Sequence, residues 1–403
     1  MKQSRIQMSL AFFGFALIGA NGGATGVILP SLSNYYKVDN SVIGLLFLAS
    51  SIGYFLSALS SSLLLERLGL RKFLLLGTLT FLLGTLTYGI MPPFIIIIAT
   101  RLFLGFGVAI IETGLNAYVV ALPRHTSLLN SLHAFYGAGA LVGPVLAAAL
   151  LSLHWGWNTV YLSWSLLSLP LLLGFAIVFV SQPLSTARQE DEPAVKGNIL
   201  IAAIKLPVVW VASVFLLLYV GVEVSLGNWT YSFLVEGQHQ QIVISSFIVS
   251  GYWLGLMLGR FTLSNLAERF GLSNAGLIYS CMVGIFIGIG IVWLFPFELF
   301  AAIGFCFIGF SLAPIYPTTV ALLPKLVPKR IISSAIGFLV SLSILGLALF
   351  PWLAGILAQS IGIWSLLPYV LLLTVLMLVF WWVIFRISPA SKQANAGETP
   401  IEA

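Results

Sequence analysis

Runs of about 20 apolar residues recur along the whole chain with short polar breaks between them, each long enough to cross a roughly 30 Å hydrocarbon core as a helix. Twelve such runs can be counted, centred near Ala16, Gly53, Leu82, Val108, Gly139, Leu169, Leu218, Met257, Ile285, Gly309, Leu345 and Leu373. In lipid every backbone N–H and C=O must be satisfied within the protein, so runs of this length predict helices, whereas a β-barrel would show alternating segments of about ten residues. The sequence therefore predicts an all-α membrane protein of 12 transmembrane helices. Of its 403 residues 60% are hydrophobic and only 7% charged, against about 25% charged in soluble domains.

Orientation follows from the basic residues. With a cytoplasmic N-terminus carrying Lys2 and Arg5, sixteen of the 18 Lys and Arg fall in cytoplasmic loops or tails, among them Arg67, Arg71, Arg260, Arg269 and Lys325. Only Lys37 falls in an outer loop and only Arg101 within a span. The positive-inside rule then predicts both termini in the cytoplasm. The net charge of +6 is spread over short loops, a membrane-orientation signal rather than a nucleic-acid surface. Met1 to Met8 is too short for a cleavable signal, so the first run is expected to be retained. Cys281 and Cys306 fall inside predicted helices and read as small buried residues rather than a disulfide or metal pair.

The one extended polar interruption, SQPLSTARQEDEPAVKGN from Ser181 to Asn198, reads as a linker. It lies near the middle of the chain and invites a search for a repeat. LLERLGLRK from Leu64 is echoed by LAERFGLSN from Leu266, VALP at Val120 by VALLP at Val320, and GALVGP at Gly139 by GLALFP at Gly346, each about 200 residues apart and in the same order. The expected organisation is an N-terminal six-helix bundle (1–180), the linker (181–198), a C-terminal six-helix bundle (199–388) and a tail (389–403). Two similar halves of this kind are associated with alternating-access transporters whose site lies at the midplane.

These stretches carry a resemblance to the major facilitator superfamily. ERLGLRK resembles its loop signature between helices 2 and 3, with Glu66 in place of the usual Asp, and AERFG is a reduced second copy. RLFLGFG (Arg101 to Gly107) is similar to its Arg-containing fourth-helix motif, and GALVGPVLAA to its fifth-helix Gly-Pro motif. IETGLNAYV, LLNSLHAFYGAGALVGP, YVGVEVSLGNW and APIYPT further resemble segments of the fucose-proton symporter and glucose transporter type. One departure is Gly26, which stands where the fucose symporters carry a first-helix Asp. The resemblance implies secondary transport of a monosaccharide or similar small polar solute coupled to H⁺ or Na⁺.

Glu112 sits in the middle of the fourth run, where a charge costs at least about 2.5–3.5 kcal/mol on insertion scales. Arg101, Glu112 and Asn116 fall within about 60° on one helix face. Arg101 and Glu112 are roughly 16 Å apart along the axis, too far to neutralise each other. Glu112 either bonds a neighbouring helix for packing or exchanges a proton and binds a solute hydroxyl. Glu223, with Tyr219, Asn228 and Trp229 nearby in sequence, is either a packing hydrogen bond or part of a sugar site, since sugars offer hydroxyls to polar groups and C–H faces to rings. Arg101 could hold neighbouring helices or influence a nearby acid; His133, one turn from Tyr136, could pack or titrate. Asn21 is a further cavity candidate. Glu66, Arg67, Gly69 and Arg71, with Glu268 and Arg269 in the second copy, read as a gate at the cytoplasmic helix ends. Gly139, Gly143 and Pro144 read as close helix packing.

An intramembrane enzyme is disfavoured, because Asp39 and Asp191 are the only aspartates and both fall in loops, with no HExxH. A channel would need a repeated filter or charged ring. The expectation is a monomeric multi-pass transporter of a bacterial inner membrane, with a small solute (a sugar), H⁺ or Na⁺ and membrane lipid as partners and no cofactor or metal. An efflux antiporter for drugs or metabolites is the alternative.

Overall fold

The computed structural model of the chain describes residues 2–122, 125–179 and 199–387; the expected linker and tail lie outside the described residues. The helices are α1 (Lys2–Tyr36), α2 (Asn40–Gly89), α3 (Phe94–Val120), α4 (His125–Ser152), α5 (Trp157–Val178), α6 (Ile199–Ile204), α7 (Pro207–Ser232), α8 (Ile242–Arg269), α9 (Asn274–Leu294), α10 (Glu298–Leu312), α11 (Ile315–Leu326), α12 (Ile332–Ser360) and α13 (Leu366–Ile387). Among the described residues eleven spans are long and apolar enough to cross a membrane, α10 and α11 together forming one of them. The chain is a multi-pass integral membrane protein.

The count differs from the twelve expected because the second and third apolar runs join in α2, a continuous element of 50 residues. At about 1.5 Å per residue such a helix would be on the order of 75 Å long, more than twice the hydrocarbon thickness. It is broken at Gly69, whose φ of 69° and ψ of 162° are not helical and fall in a region essentially reserved for glycine. The second copy repeats the device. Gly271, at the same place in ERFG, has a φ of 65°, and the Leu272 N–H bonds the Ala267 carbonyl at 2.9 Å across it, closing the end of α8 as a left-handed glycine does. The sequence echo thus extends to a positive φ at both glycines.

Two compact units form. Unit 1 comprises Met1–Glu190, Gly227–Leu254 and Pro351–Leu366; unit 2 comprises Asp191–Leu226, Gly255–Phe350 and Leu367–Ala403. Consequently α7, α8 and α12 each run from one unit into the other.

In unit 1, α1 lies on α4, and α2 on α3 and α5. The α1–α4 seam is built on small residues. A Cβ added at Gly19 or Gly23 would collide with the carbonyls of Tyr136 and Ala140, and one at Gly139 or Gly143 with those of Ala16 and Ala20. The two backbones touch, as small-residue membrane seams allow. The same unit contains the C-terminal end of α7, the first part of α8 and the last part of α12. Gly26 of α1 meets α7 so closely that a Cβ there would lie 2.6 Å from the Asn228 carbonyl oxygen. Gly44 of α2 packs on Trp352, the Ser250 hydroxyl donates to the Leu141 carbonyl at 2.7 Å, and the Asn40 N–H donates to Gln359 Oε1 at 3.2 Å. In unit 2, α9 lies on α10 and α11; Cys281 and Cys306, on α9 and α10, are free thiols.

Candidate functional site

In unit 1 Glu112 lies on α3, half-buried, and accepts a hydrogen bond at 2.9 Å from the hydroxyl of Tyr54 on α2. The donor is neutral, so the carboxyl sits inside an apolar span with a dipole rather than a charge as its partner. Asn116, one turn along the same face, keeps its buried Oδ1 without a hydrogen-bond partner among the described residues, as does Asn21 on α1. A buried amide oxygen left unpaired costs about 1–3 kcal/mol unless a water or a solute meets it.

Arg101 is almost fully buried and, as the spacing implies, does not reach Glu112. One guanidinium nitrogen donates at 3.3 Å to the hydroxyl of Thr25 on α1, which itself donates to the Asn21 carbonyl at 2.9 Å. Arg101 therefore ties α3 to α1 through a neutral partner. His133 is exposed on α4 and meets the edge of Phe15, with ring centroids 5.3 Å apart. The Tyr136 hydroxyl lies against α1 beside Gly22, next in sequence to Asn21.

The YVGVEVSLGNW stretch is divided between the units. Tyr219 and Glu223 belong to unit 2, Asn228 and Trp229 to unit 1. Trp229 is fully buried, donates its Nε1–H to the Pro351 carbonyl at 2.8 Å and meets Phe47 edge-on; its ring is enclosed by protein. Glu223 pairs with Arg260 of α8, Oε1 and Nη2 being 3.4 Å apart. Arg260 therefore corrects the loop assignment made from sequence, since it lies inside the apolar span Ile242–Leu263. A basic residue near the end of an apolar run reads as a loop residue, but its long side chain reaches back along the helix. Tyr219 and Tyr316 have ring centroids 6.1 Å apart.

At the expected gate, Glu66 and Arg67 are exposed, while Arg71 reaches the Ala176 carbonyl near the end of α5. Gln7 caps the same end through Val178 O at 3.1 Å and accepts from Tyr118 at 3.2 Å. Cationic and amide donors suit these terminal carbonyls. Arg269 is exposed; the side chain of Glu268 lies outside the described residues. No group of three or more His, Cys, Asp or Glu able to hold a metal occurs among the described residues.

The model of the Major Facilitator Superfamily matches residues 11–297 and 224–402, so the chain belongs to that superfamily. Over 407 aligned residues it is 26% identical to Bypass of stop codon protein 6 of Saccharomyces cerevisiae, covering 89% of this chain and 78% of that protein. It is 23% identical to the Glucose/mannose transporter GlcP of Bacillus subtilis, covering 90% and 89%. Among solved structures a mutant of the nucleoside transporter NupG superposes with a TM-score of 0.77 at 14% identity, over 95% of this chain and 99% of that one, which establishes the shared fold. The chain stands among membrane transporters rather than enzymes.

Gly26 now has a physical account. The symporters' first-helix carboxylate has no room here, because α1 crosses the α7 backbone at that residue. Two partners were missed from sequence: Tyr54, one of 13 tyrosines with nothing local to mark it, and Arg260, whose signal was a lone arginine bordering an apolar run.

Proposed function

We propose that this protein is a secondary transporter that moves a monosaccharide or similar small polyol by alternating access, with Glu112 binding and releasing the coupling proton. The carrying observation is a half-buried carboxyl in an apolar span held by the neutral hydroxyl of Tyr54. A carboxyl so placed can lose its charge by taking up a proton, and water must reach it for the proton to arrive. The sugar class is supported by the name of GlcP, similar over most of both chains, and by the unpaired buried amide oxygens of Asn116 and Asn21, which suit solute hydroxyls. Solute-binding residues on this reading are Glu112, Asn116, Asn21 and Tyr136, all of unit 1; Glu223 and Tyr219 are separate candidates within unit 2.

Counting α2 as two crossings joined at Gly69 gives two six-helix halves and, with the basic residues inside, cytoplasmic termini. The test is counterflow in proteoliposomes with a panel of radiolabelled monosaccharides, with and without an imposed pH or sodium gradient. Exchange of one sugar that a pH gradient turns into accumulation supports the reading. Enhancement by sodium alone removes the proton, and no exchange of any sugar by folded protein removes the sugar class in favour of efflux of another solute.

A further inference from the structure

Charged side chains inside an apolar span are costly and need water or a partner. Arg260 has a partner in Glu223, yet its side chain remains 43% accessible against 15% for the carboxylate. Near the end of a span a guanidinium that open faces water or lipid headgroups rather than acyl chains. The contact itself is loose. Its N···O separation of 3.4 Å exceeds the roughly 2.7–2.9 Å of a charge-assisted bond. A pair this open and this long contributes little to stability, and a donor and an acceptor side by side at a wet surface suit a polar solute.

We infer that Arg260 binds the solute: with Glu223 it presents a donor beside an acceptor to two adjacent hydroxyls of a polyol. Each solute hydroxyl both donates and accepts, so one can donate to the carboxylate while its neighbour accepts from the guanidinium. Tyr316, half-buried on α11 with its ring 6.1 Å from that of Tyr219, one turn before Glu223 on α7, offers a ring for a C–H face. The inference rests on the polyol reading above and adds a specificity-determining residue to it.

The test measures half-saturation and maximal exchange separately, for wild type, Arg260→Gln, Arg260→Lys and the neutral double variant Glu223→Gln/Arg260→Gln, using the sugar found by counterflow and its monodeoxy analogues. One analogue is expected to bind wild type about tenfold more weakly, as for a lost hydrogen bond of about 1.4 kcal/mol. In Arg260→Gln the parent sugar should weaken about tenfold while that analogue loses less than about twofold further, with maximal exchange preserved, and Arg260→Lys should lie between. Unchanged half-saturation in Arg260→Gln, or an analogue penalty that persists in it, overturns the inference. If Arg260→Gln does not fold, the double variant, which removes both charges together, supplies the same analogue comparison. Wild type that exchanges no monosaccharide removes the polyol reading and this inference together; wild type that exchanges one while the variants keep its affinity removes the inference alone.

Discussion

Glu112 in unit 1 and Glu223 in unit 2 are both carboxyls in membrane spans, and their surroundings are opposite. Glu112 faces the hydroxyl of Tyr54, and Glu223 faces the guanidinium of Arg260. A carboxylate beside a cation has its charge balanced by its partner, whereas one beside a hydroxyl faces only a dipole. On the proposed function the contrast divides the work, with the proton carrier in unit 1 and a pair that holds polar solute atoms in unit 2.

The largest expected effect breaks that division at its first member. Glu112→Gln should abolish accumulation driven by a pH gradient, by more than about 100-fold as for loss of an essential proton carrier, while solute exchange persists; accumulation at the wild-type level would transfer the role elsewhere. Next in size is a stability test of the second member. Arg260→Ala takes the cation away from the Glu223 carboxylate, and with Arg260 43% accessible the usual 3–5 kcal/mol for a broken buried pair is discounted to about 1–2 kcal/mol. Thermal unfolding in detergent should show the loss, and adding Glu223→Gln should recover most of it; a double variant no more stable than Arg260→Ala would show that the pair does not act as a unit.

Smaller still is Tyr54→Phe, which removes one hydrogen bond at about 1 kcal/mol. It should lower the melting temperature modestly and alter the pH profile of accumulation without changing sugar preference, whereas Arg260→Gln should change sugar preference and leave that profile alone. Identical effects of the two variants on both readouts would erase the distinction between units. The smallest test leaves both carboxylates untouched. At Gly69 and Gly271 a Cβ would meet nothing within 4 Å, so Ala at either position should cost only the backbone strain of about 1–2 kcal/mol, with exchange affinity for the sugar intact.

Much of the architecture was legible before any contact was known. The apolar runs marked the spans, the ERLG and ERFG copies marked two corresponding loops, and Gly139 and Gly143 marked a close seam. Glu112 stood out because a lone charge in an apolar run is conspicuous. Trp229 illustrates the opposite case. Its place beside Glu223 in sequence suggested a shared sugar wall, yet the chain passes from unit 2 to unit 1 between Leu226 and Gly227 and the ring is spent on Pro351 and Phe47. Neighbours in sequence on one helix need not share an environment when the helix passes from one packed body into another.

What the sequence determined by itself is what local physics decides: that lipid-length runs become helices, because their backbone groups have no other partner there, and that Gly69 and Gly271 bend, because no other residue adopts those angles at low cost. What only the tertiary structure decided is which side chains meet. Tyr54 reaches Glu112, Arg260 reaches Glu223 and Asn228 closes on Gly26 through the rotation of one helix against another, and spans that are apolar on nearly every face carry no periodic mark of that rotation.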